Sequence, residues 1–306
     1  MVSRAEEFQE LRPLLFSIAY RLLGSVSEAE DAVQETWLRF AASPARPESV
    51  KAFLSATVSR VAIDVLRSAR VRREEYLGPW FPEPLLADPY QDPQRSAELA
   101  DSLSMAALLL LERLSPLERA VFVLREVFGF GFPEIASAVG RSEAACRQLA
   151  VRARRHVEAG RPRFEADRAK REELAGRFLD AFREGNVDGL TELLAADVQL
   201  VGDGGGKAPQ WAERFTGAQA VTEVLATLMP LFARIAAQVQ PHPVNAQPGA
   251  IFRDRAGGVI SIWAFDIADG QIQNIRTVSN PEKLGHLAPV ADAWTALREA
   301  ERAADA

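Results

Sequence analysis

The side chains best suited to chemistry in this chain are arginines, and they come in two groups. Between Ser142 and Val157 the sequence reads SEAACRQLAVRARRHV. Ala145, Leu149 and Ala153 recur every four positions, which predicts a helix with one apolar stripe. Arg147, Gln148, Val151, Arg152, Arg154 and Arg155 take most of the remaining face. Guanidinium groups bond bidentately to phosphates and to the O6/N7 edge of guanine, and a carboxamide suits adenine. Ser142 with Glu143 is a helix start. Gly140, closing PEIASAVG, suits the left-handed end of a preceding helix. A short helix, a glycine turn and an arginine-crowded second helix predict a helix-turn-helix that enters a DNA major groove.

The second group is Arg60, Arg67, Arg70, Arg72 and Arg73. With Asp64 as the one acid between them, residues 60–73 carry five positive charges against one negative, a net +4. Residues 141–163 carry seven arginines against Glu143 and Glu158, a net +5. The whole chain is at −6, so the cations are concentrated while the rest of the surface is acidic. That distribution predicts two separate DNA contacts.

Several elements must position these groups. A length of 306 residues predicts two or three domains. Residues 6–40 follow helical spacing, broken at Gly24, with Ser27 as the expected cap of the second helix. In that helix, EAEDAVQETWLRF, the inward residues are Ala29, Ala32, Val33, Trp37 and Phe40. A long helix is expected from Val50 to about Tyr76. Five prolines (79, 82, 84, 89, 93) make residues 77–97 an extended linker, yet Trp80, Phe81, Leu85, Leu86 and Tyr90 are apolar enough to dock. Helices resume at Ser96 and run through Ser115-Pro116-Leu117-Glu118, a capping box. After Gly160 the pattern changes. Arg168 to Glu184 and Val187 to Leu194 are expected helices, and Ala218 to Phe232 a third. The strand-like runs are DVQLVGD, ARIAAQVQPHPV, GAIFRDR, GVISIWAFDI and QIQNIRTVS. The last residues, from Pro289, read as a further helix.

Composition narrows the function further. The single cysteine, Cys146, excludes an internal disulfide and a Cys-rich zinc site, and it reads as a small buried hydrophobe. No metal site and no cofactor are expected. The absence of a signal pattern and of a membrane-length apolar run predicts a cytoplasmic protein without membrane contact.

The segments LFSIAYRLLGSVSEAEDAVQETWLRF and FLSATVSRVAIDVLRSARVRREE resemble region two of an extracytoplasmic-function sigma factor of bacterial RNA polymerase. LSPLERAVFVLREVFGFGFPEIASAVGRSEAACRQLAVRARRHV resembles region four, and the α+β tail resembles a SnoaL-like domain. WFPEP (Trp80–Pro84), DGGGK (Asp203–Lys207) and NPEKL (Asn280–Leu284) are similar to three short motifs of the subgroup with a fused C-terminal domain. The resemblance implies a multidomain chain of two all-α helical domains and a C-terminal α+β, SnoaL-like, cone-shaped barrel. The implied boundaries are region two at 1–76, the linker at 77–97, region four at 98–162, the regulatory domain at 168–285 and a helical tail at 286–306.

The same resemblance implies partners and roles. Asp31, Gln34, Glu35 and Arg39 would face a coiled coil of the polymerase largest subunit, and region four would face the flap. Arg60, Asp64, Arg67, Arg70, Arg72 and Arg73 would act at the −10 element, where cations hold separated strands. Many family members carry Asn where this chain carries Arg60. At the −35 element, Arg147, Gln148, Val151 and Arg152 would read bases, and Arg141, Arg154 and Arg155 would hold phosphates. The fused domain would regulate the helical regions in place of a separate anti-sigma protein, with the free chain a monomer. Trp80, Pro82, Glu83, Pro84, Asp203, Gly204, Gly205, Gly206, Lys207, Asn280, Pro281, Glu282, Lys283 and Leu284 would serve that interdomain role. The three glycines of DGGGK suit close backbone approach.

Two other readings of the tail compete: a one-component regulator sensing a small-molecule ligand in the cone, and a SnoaL-type cyclase or isomerase. For the enzyme reading, Asp203, His242, Asp266 and Arg276 are candidates for an acid/base pair inside the cone, with Trp211, Phe215, Trp263 and Phe265 as walls. Neither alternative accounts for a polymerase-binding helix followed by an arginine-rich one.

Overall fold

The structure is a computed structural model that describes residues 3–44, 46–74, 76–94, 96–160, 167–208 and 214–292, with positions 294, 295, 298 and 302 beyond them. Side chains at 69–74 and 97–98 lie outside the described set. The chain forms two units. One joins residues 1–75 to 88–162, and the other joins residues 76–87 to 163–306.

The first unit is helical. Helices α1 (Arg4–Leu23), α2 (Val26–Ala42) and α3 (Val50–Glu74) pack against one another. Gly24, at φ 67°, ends α1 in the left-handed conformation. The cap of α2 is Ser25, whose hydroxyl accepts from the Glu28 N–H, and not Ser27 as the sequence pattern suggested. Ser25 follows the glycine directly in extended conformation, which leaves Ser27 already inside the first turn. Next come α4 (Ser96–Leu103) and α5 (Met105–Glu112), a break in an expected single helix at Ser104, whose hydroxyl caps α5. The Ser115–Glu118 capping box starts α6 (Pro116–Phe122), which continues as a π-helical turn, Val123–Val127. Helices α7 (Phe132–Val139) and α8 (Glu143–Gly160) follow, joined at Gly140 with φ 66°. Helix α3 packs on α7, and α6 on α8.

The second unit is α+β. Helices α9 (Arg168–Glu184), α10 (Val187–Leu193) and α11 (Ala218–Arg234) cover a six-stranded sheet of order β2-β1-β6-β5-β4-β3. The strands are β1 (Leu194–Asp203), β2 (Arg214–Thr216), β3 (Gln238–Pro241), β4 (Gly249–Arg253), β5 (Val259–Ala268) and β6 (Gln271–Val278). Strand β2 carried no sequence signal at three residues. The expected strand ARIAAQVQPHPV is mostly not one: α11 runs on to Arg234, and β3 begins only at Gln238. Ala236, at φ 48°, makes the break between them. A short helix α12 (Pro281–Leu284) follows β6, with Asn280 as its cap.

Inside this unit Phe182, Phe232, Phe252 and Trp263 form one aromatic cluster, with centroids 4.5–6.5 Å apart. Each fully buried ring of this kind stabilises the fold by roughly 1.5–3 kcal/mol. Strand β1 pairs with β6 in parallel, with Asp203 opposite Val278. The two strands therefore end on the same side of the sheet, and the segments that follow them start side by side. No helix among the described residues is long and apolar enough to cross a membrane. The expected C-terminal helix falls largely outside the described residues.

Candidate functional site

Helix α8 turns its buried side, Cys146, Leu149, Ala150 and Ala153, into the helical unit. Burial pushes the Cys146 thiol above its ordinary value. Arg141, Arg147, Gln148, Val151, Arg152, Arg154 and Arg155 are all exposed, and Val151 is an unusual apolar residue to leave at 50% exposure. Three of the arginines are already partnered by acids of the same unit. Arg147 bonds Glu143 at 2.8 Å and stacks over Phe132, Arg152 lies 3.4 Å from Glu118, and Arg154 bonds Glu126 at 2.7 Å. These are exposed pairs, each worth about 0–1 kcal/mol.

On α3, Arg67 bonds Asp64 at 3.2 Å and both are exposed. Arg60 is placed differently. Its Nε donates to the Ala138 carbonyl at 3.2 Å and an Nη to the Ser137 carbonyl at 2.5 Å. These carbonyls end α7, where the helix dipole favours a cation. The side chains of Arg70, Arg72 and Arg73 lie outside the described residues. On α2, Asp31, Gln34 and Arg39 are exposed and Glu35 is half-buried, with a 2.7 Å Arg39–Glu35 pair. Trp37 is not buried as the pattern suggested. It stands with Phe8, Val33 and Gln34 along a groove of about 290 Å³, bridged at its rim by Arg12 and Glu30.

The helical unit is held by buried arginines that the apolar pattern concealed. Arg21 is 1% exposed. It donates to Ser102 Oγ at 2.9 Å, Asp88 Oδ2 at 2.9 Å, the Leu99 carbonyl at 2.8 Å, the Ser17 carbonyl at 3.2 Å and Ser17 Oγ. Burial draws its pKa below the ordinary guanidinium value, and Asp88 opposes that. Arg119, 3% exposed, bonds the Leu22 carbonyl and Glu112, both at 2.7 Å. An arginine inside an apolar stripe, such as Arg21 between Tyr20 and Leu22, was the available signal for such a hub.

In the α+β unit, residues of all three short motifs meet at one carboxylate. Asp203 is wholly buried. Its Oδ1 accepts from the Tyr76 hydroxyl, and its Oδ2 accepts from the Phe81 N–H at 2.7 Å and from Lys283 Nζ at 2.6 Å. Lys283 also donates to the Phe81 carbonyl at 2.5 Å, and its ammonium lies 4.5 Å from the Tyr76 ring centroid and 4.4 Å from that of Trp80. Asn280 Nδ2 donates to the Tyr76 hydroxyl at 2.7 Å. The Ser279 and Asn280 N–H groups both donate to the Asp203 carbonyl, so the parallel strand ends set this geometry. Burial, reinforced by the bond to Asp203, raises the Tyr76 pKa far above its usual value.

The glycines explain themselves by space. Gly205 and Gly206 have φ 57° and 68°. A Cβ at Gly205 would collide with Asn280 and come within 2.6 Å of the Tyr76 hydroxyl, and one at Gly206 would lie 2.6 Å from Leu77. Pro82, Pro84 and Leu284 are buried, and Glu83 lies 4.0 Å from His286, whose Nε2 meets the Pro84 carbonyl at 2.7 Å. Lys207 and Glu282 form an exposed pair, and Gly204 and Pro281 complete the two turns. Sequence reasoning missed Tyr76, His286 and Asn245. Asn245 binds Leu85 at both ends: its N–H donates to the Leu85 carbonyl at 2.8 Å and its Oδ1 accepts from the Leu85 N–H at 3.0 Å.

The polar groups expected inside the cone do not form a catalytic pair. Asp203 is taken up by the linker, and Asp266 is paired with Arg276. Trp263 and Phe265 are core residues, Phe215 packs partly buried against that core, His242 sits on the β3–β4 turn, and Trp211 lies outside the described residues.

Comparison with known proteins agrees with this layout. Residues 8–72 match the family model for Sigma-70 region 2, and residues 104–157 match that for Sigma-70 region 4. The chain is 37% identical over 286 residues to the ECF RNA polymerase sigma factor SigJ of Mycobacterium tuberculosis, covering 90% of this chain and 92% of that protein. It is 30% identical over 280 residues to a probable ECF sigma factor, SigI, of the same species, covering 90% and 93%. The crystal structure of SigJ superposes with a TM-score of 0.72 at 34% identity, covering 94% of this chain and all of the other. The helical segments followed by an α+β sheet domain are thus shared over most of both chains. Sigma factors initiate transcription with core RNA polymerase at promoter DNA and are not enzymes, and this chain belongs to the extracytoplasmic-function RNA polymerase sigma factors.

Proposed function

We propose that the C-terminal domain regulates this sigma factor by holding the linker between regions two and four. The observation that supports it is the convergence on Asp203 of the Phe81 amide, the Tyr76 hydroxyl and Lys283. The linker expected at 77–97 is divided in this reading, because residues 76–87 cluster with the α+β unit while Asp88 onward clusters with the helices. A buried carboxylate costs several kcal/mol to desolvate and is stable only while its partners stay in place. The grip is therefore all-or-none in character.

In this reading α8 carries the −35 contacts. Arg147, Gln148, Val151 and Arg152 face base edges, and Arg141, Arg154 and Arg155 face phosphates. Helix α3 carries the −10 contacts through Arg60, Asp64, Arg67, Arg70, Arg72 and Arg73. Arg60 must leave the Ser137 and Ala138 carbonyls to do so, which couples −10 recognition to separation of α3 from α7. Asp31, Gln34, Glu35 and Arg39, beside the Trp37 groove, face the coiled coil of the largest polymerase subunit, and region four faces the flap. The free protein is a monomer.

The test is promoter-dependent transcription in vitro with core polymerase, comparing the full chain with Gly205→Ala. The added methyl group opens the grip without touching the helical unit. Output is expected to change several-fold while unfolding of the helical unit is unaltered. Equal output from the two proteins would remove the linker from the regulation.

A further inference from the structure

We infer that the α+β unit binds a small monocarboxylate with an apolar body in a hollow between α9 and the β3–β4 turn, and that occupancy strengthens the hold on Leu85. This rests on the linker reading above. The site lies outside the aromatic cluster that fills the core.

The hollow measures about 330 Å³, roughly eleven water volumes at ~30 Å³ each. That is near the lower end of small-molecule sites. One wall is the α9 face at four-residue spacing, Arg171, Ala175 and Leu179. The other is Pro241, Pro243 and Pro248. The lining is therefore rigid and mostly apolar, with a guanidinium set into it. Arg168, the other cation at the rim, is neutralised by Glu172 at 2.7 Å. Arg171 has no carboxylate partner among the described residues. Its Nη1 donates to Gln247 Oε1 at 3.0 Å, a neutral amide, and its Nε is buried with no hydrogen bond. An unanswered buried N–H costs about 1–3 kcal/mol. A carboxylate entering the hollow supplies the counter-charge, and a small rotation of the guanidinium gives Nε its acceptor while Nη1 keeps Gln247. The apolar walls favour a hydrocarbon or ring behind that carboxylate.

The far side of the hollow is the clasp on the linker. Val244 and Gln247 exchange backbone hydrogen bonds of 2.8 and 3.0 Å around a two-residue turn. Its central residues, Asn245 and Ala246, have φ 51° and 58°. Ala246 has no side-chain bond to offset that conformation, which costs about 1–2 kcal/mol. Asn245 is wholly buried and makes the two hydrogen bonds to Leu85. Arg171, Gln247, the turn and Leu85 are thus linked by consecutive hydrogen bonds. A ligand that fixes Arg171 braces a turn that is otherwise strained.

The probe is hexanoate, with hexanamide as its uncharged counterpart, titrated calorimetrically into the full chain. Hexanoate is expected to bind at least about tenfold more tightly than hexanamide, and Arg171→Gln to weaken it by a similar factor. Gly176→Leu is a second variant, since Gly176 lines the hollow and a Cβ there meets nothing within 4 Å. It fills the space and abolishes binding without removing a charge. With hexanoate at about ten times its Kd, exchange of the Leu85 amide is expected to slow by up to about elevenfold. Absence of binding, equal binding of the amide, binding indifferent to both variants, or unchanged Leu85 exchange each overturns the proposal. Hexanoate bound at Arg171 in a chain whose transcription ignores Gly205→Ala sinks the linker reading alone. A regulated chain that takes no hexanoate sinks the pocket alone.

Discussion

Two buried cations hold the two ends of the linker, and they do so by opposite designs. Arg21 holds the Asp88 end and Lys283 the Tyr76–Phe81 end. The guanidinium spreads its donors over Ser17, Asp88, Leu99 and Ser102, so the load is distributed among α1, the linker end and α4. At the other end three bonds converge on one carboxylate, Asp203. A distributed hub loses one contact at a time, whereas a convergent one fails together. The helical unit thus has the arrangement suited to permanence, and the linker grip the one suited to release.

The largest expected effect is at the point of convergence. Asp203→Ala leaves the Lys283 ammonium buried without its counter-ion, at a cost of about 3–5 kcal/mol to the α+β unit. Urea unfolding together with exchange of the Phe81 amide measures it. A loss no larger than that of an exposed ion pair would mean the grip is not convergent. The double variant Asp203→Asn with Lys283→Met removes both charges and is expected to recover much of the loss, because matched removal of a buried pair is far less costly than breaking it.

Arg21→Lys sharpens the contrast from the other side. A lysine keeps the charge opposite Asp88 but cannot reach the remaining acceptors with a planar fork. The expected loss is about 1.5–3 kcal/mol in the helical unit, with a normal Phe81 amide. If instead the Phe81 amide became as labile as in Asp203→Ala, the two ends would not be independent.

The smallest effect is Tyr76→Phe, about 1–2 kcal/mol, for the hydrogen bond donated to Asp203 and the one accepted from Asn280. It carries a pH signature. The phenol pKa is raised in the folded unit above its unfolded value of ~10. The stabilisation from the neutral phenol is therefore complete below pH ~10 and is lost as pH rises beyond it. The wild-type grip is expected to weaken only in strong alkali, and Tyr76→Phe to abolish that component. A wild-type grip that loosened already between pH 6 and 8 would place the titrating group elsewhere.

Much of this architecture was legible because it depends on local rules. Gly140 ends α7, Ser115 and Glu118 open α6, and Arg168 to Glu184 is a helix with the bounds its spacing gives. The shared position of DGGGK and NPEKL was harder to read. It depends on β1 pairing with β6 in parallel across about 70 residues, a non-local choice with no signal in either strand. The Asp203 knot needed that pairing, and Tyr76 sat at what looked like the fraying end of a helix. Arg21 was hidden by the apolar stripe around it. The cap of α2 moved by two residues because Ser25 and Ser27 are both acceptable by type, and only the turn at Gly24 decides between them.

The linker and the groups that hold it belong to one polypeptide, and that has a consequence in mass action. A separate inhibitor is diluted when the cell divides and outcompeted when its target is overproduced. If the α+β unit restrains the linker as proposed, restraint and target are always present at a ratio of one, and re-docking is unimolecular at an effective concentration set by the chain itself. Making more of this protein cannot titrate the restraint away. Only something that changes the affinity of the hold can, which puts the whole burden of control on chemistry rather than on copy number.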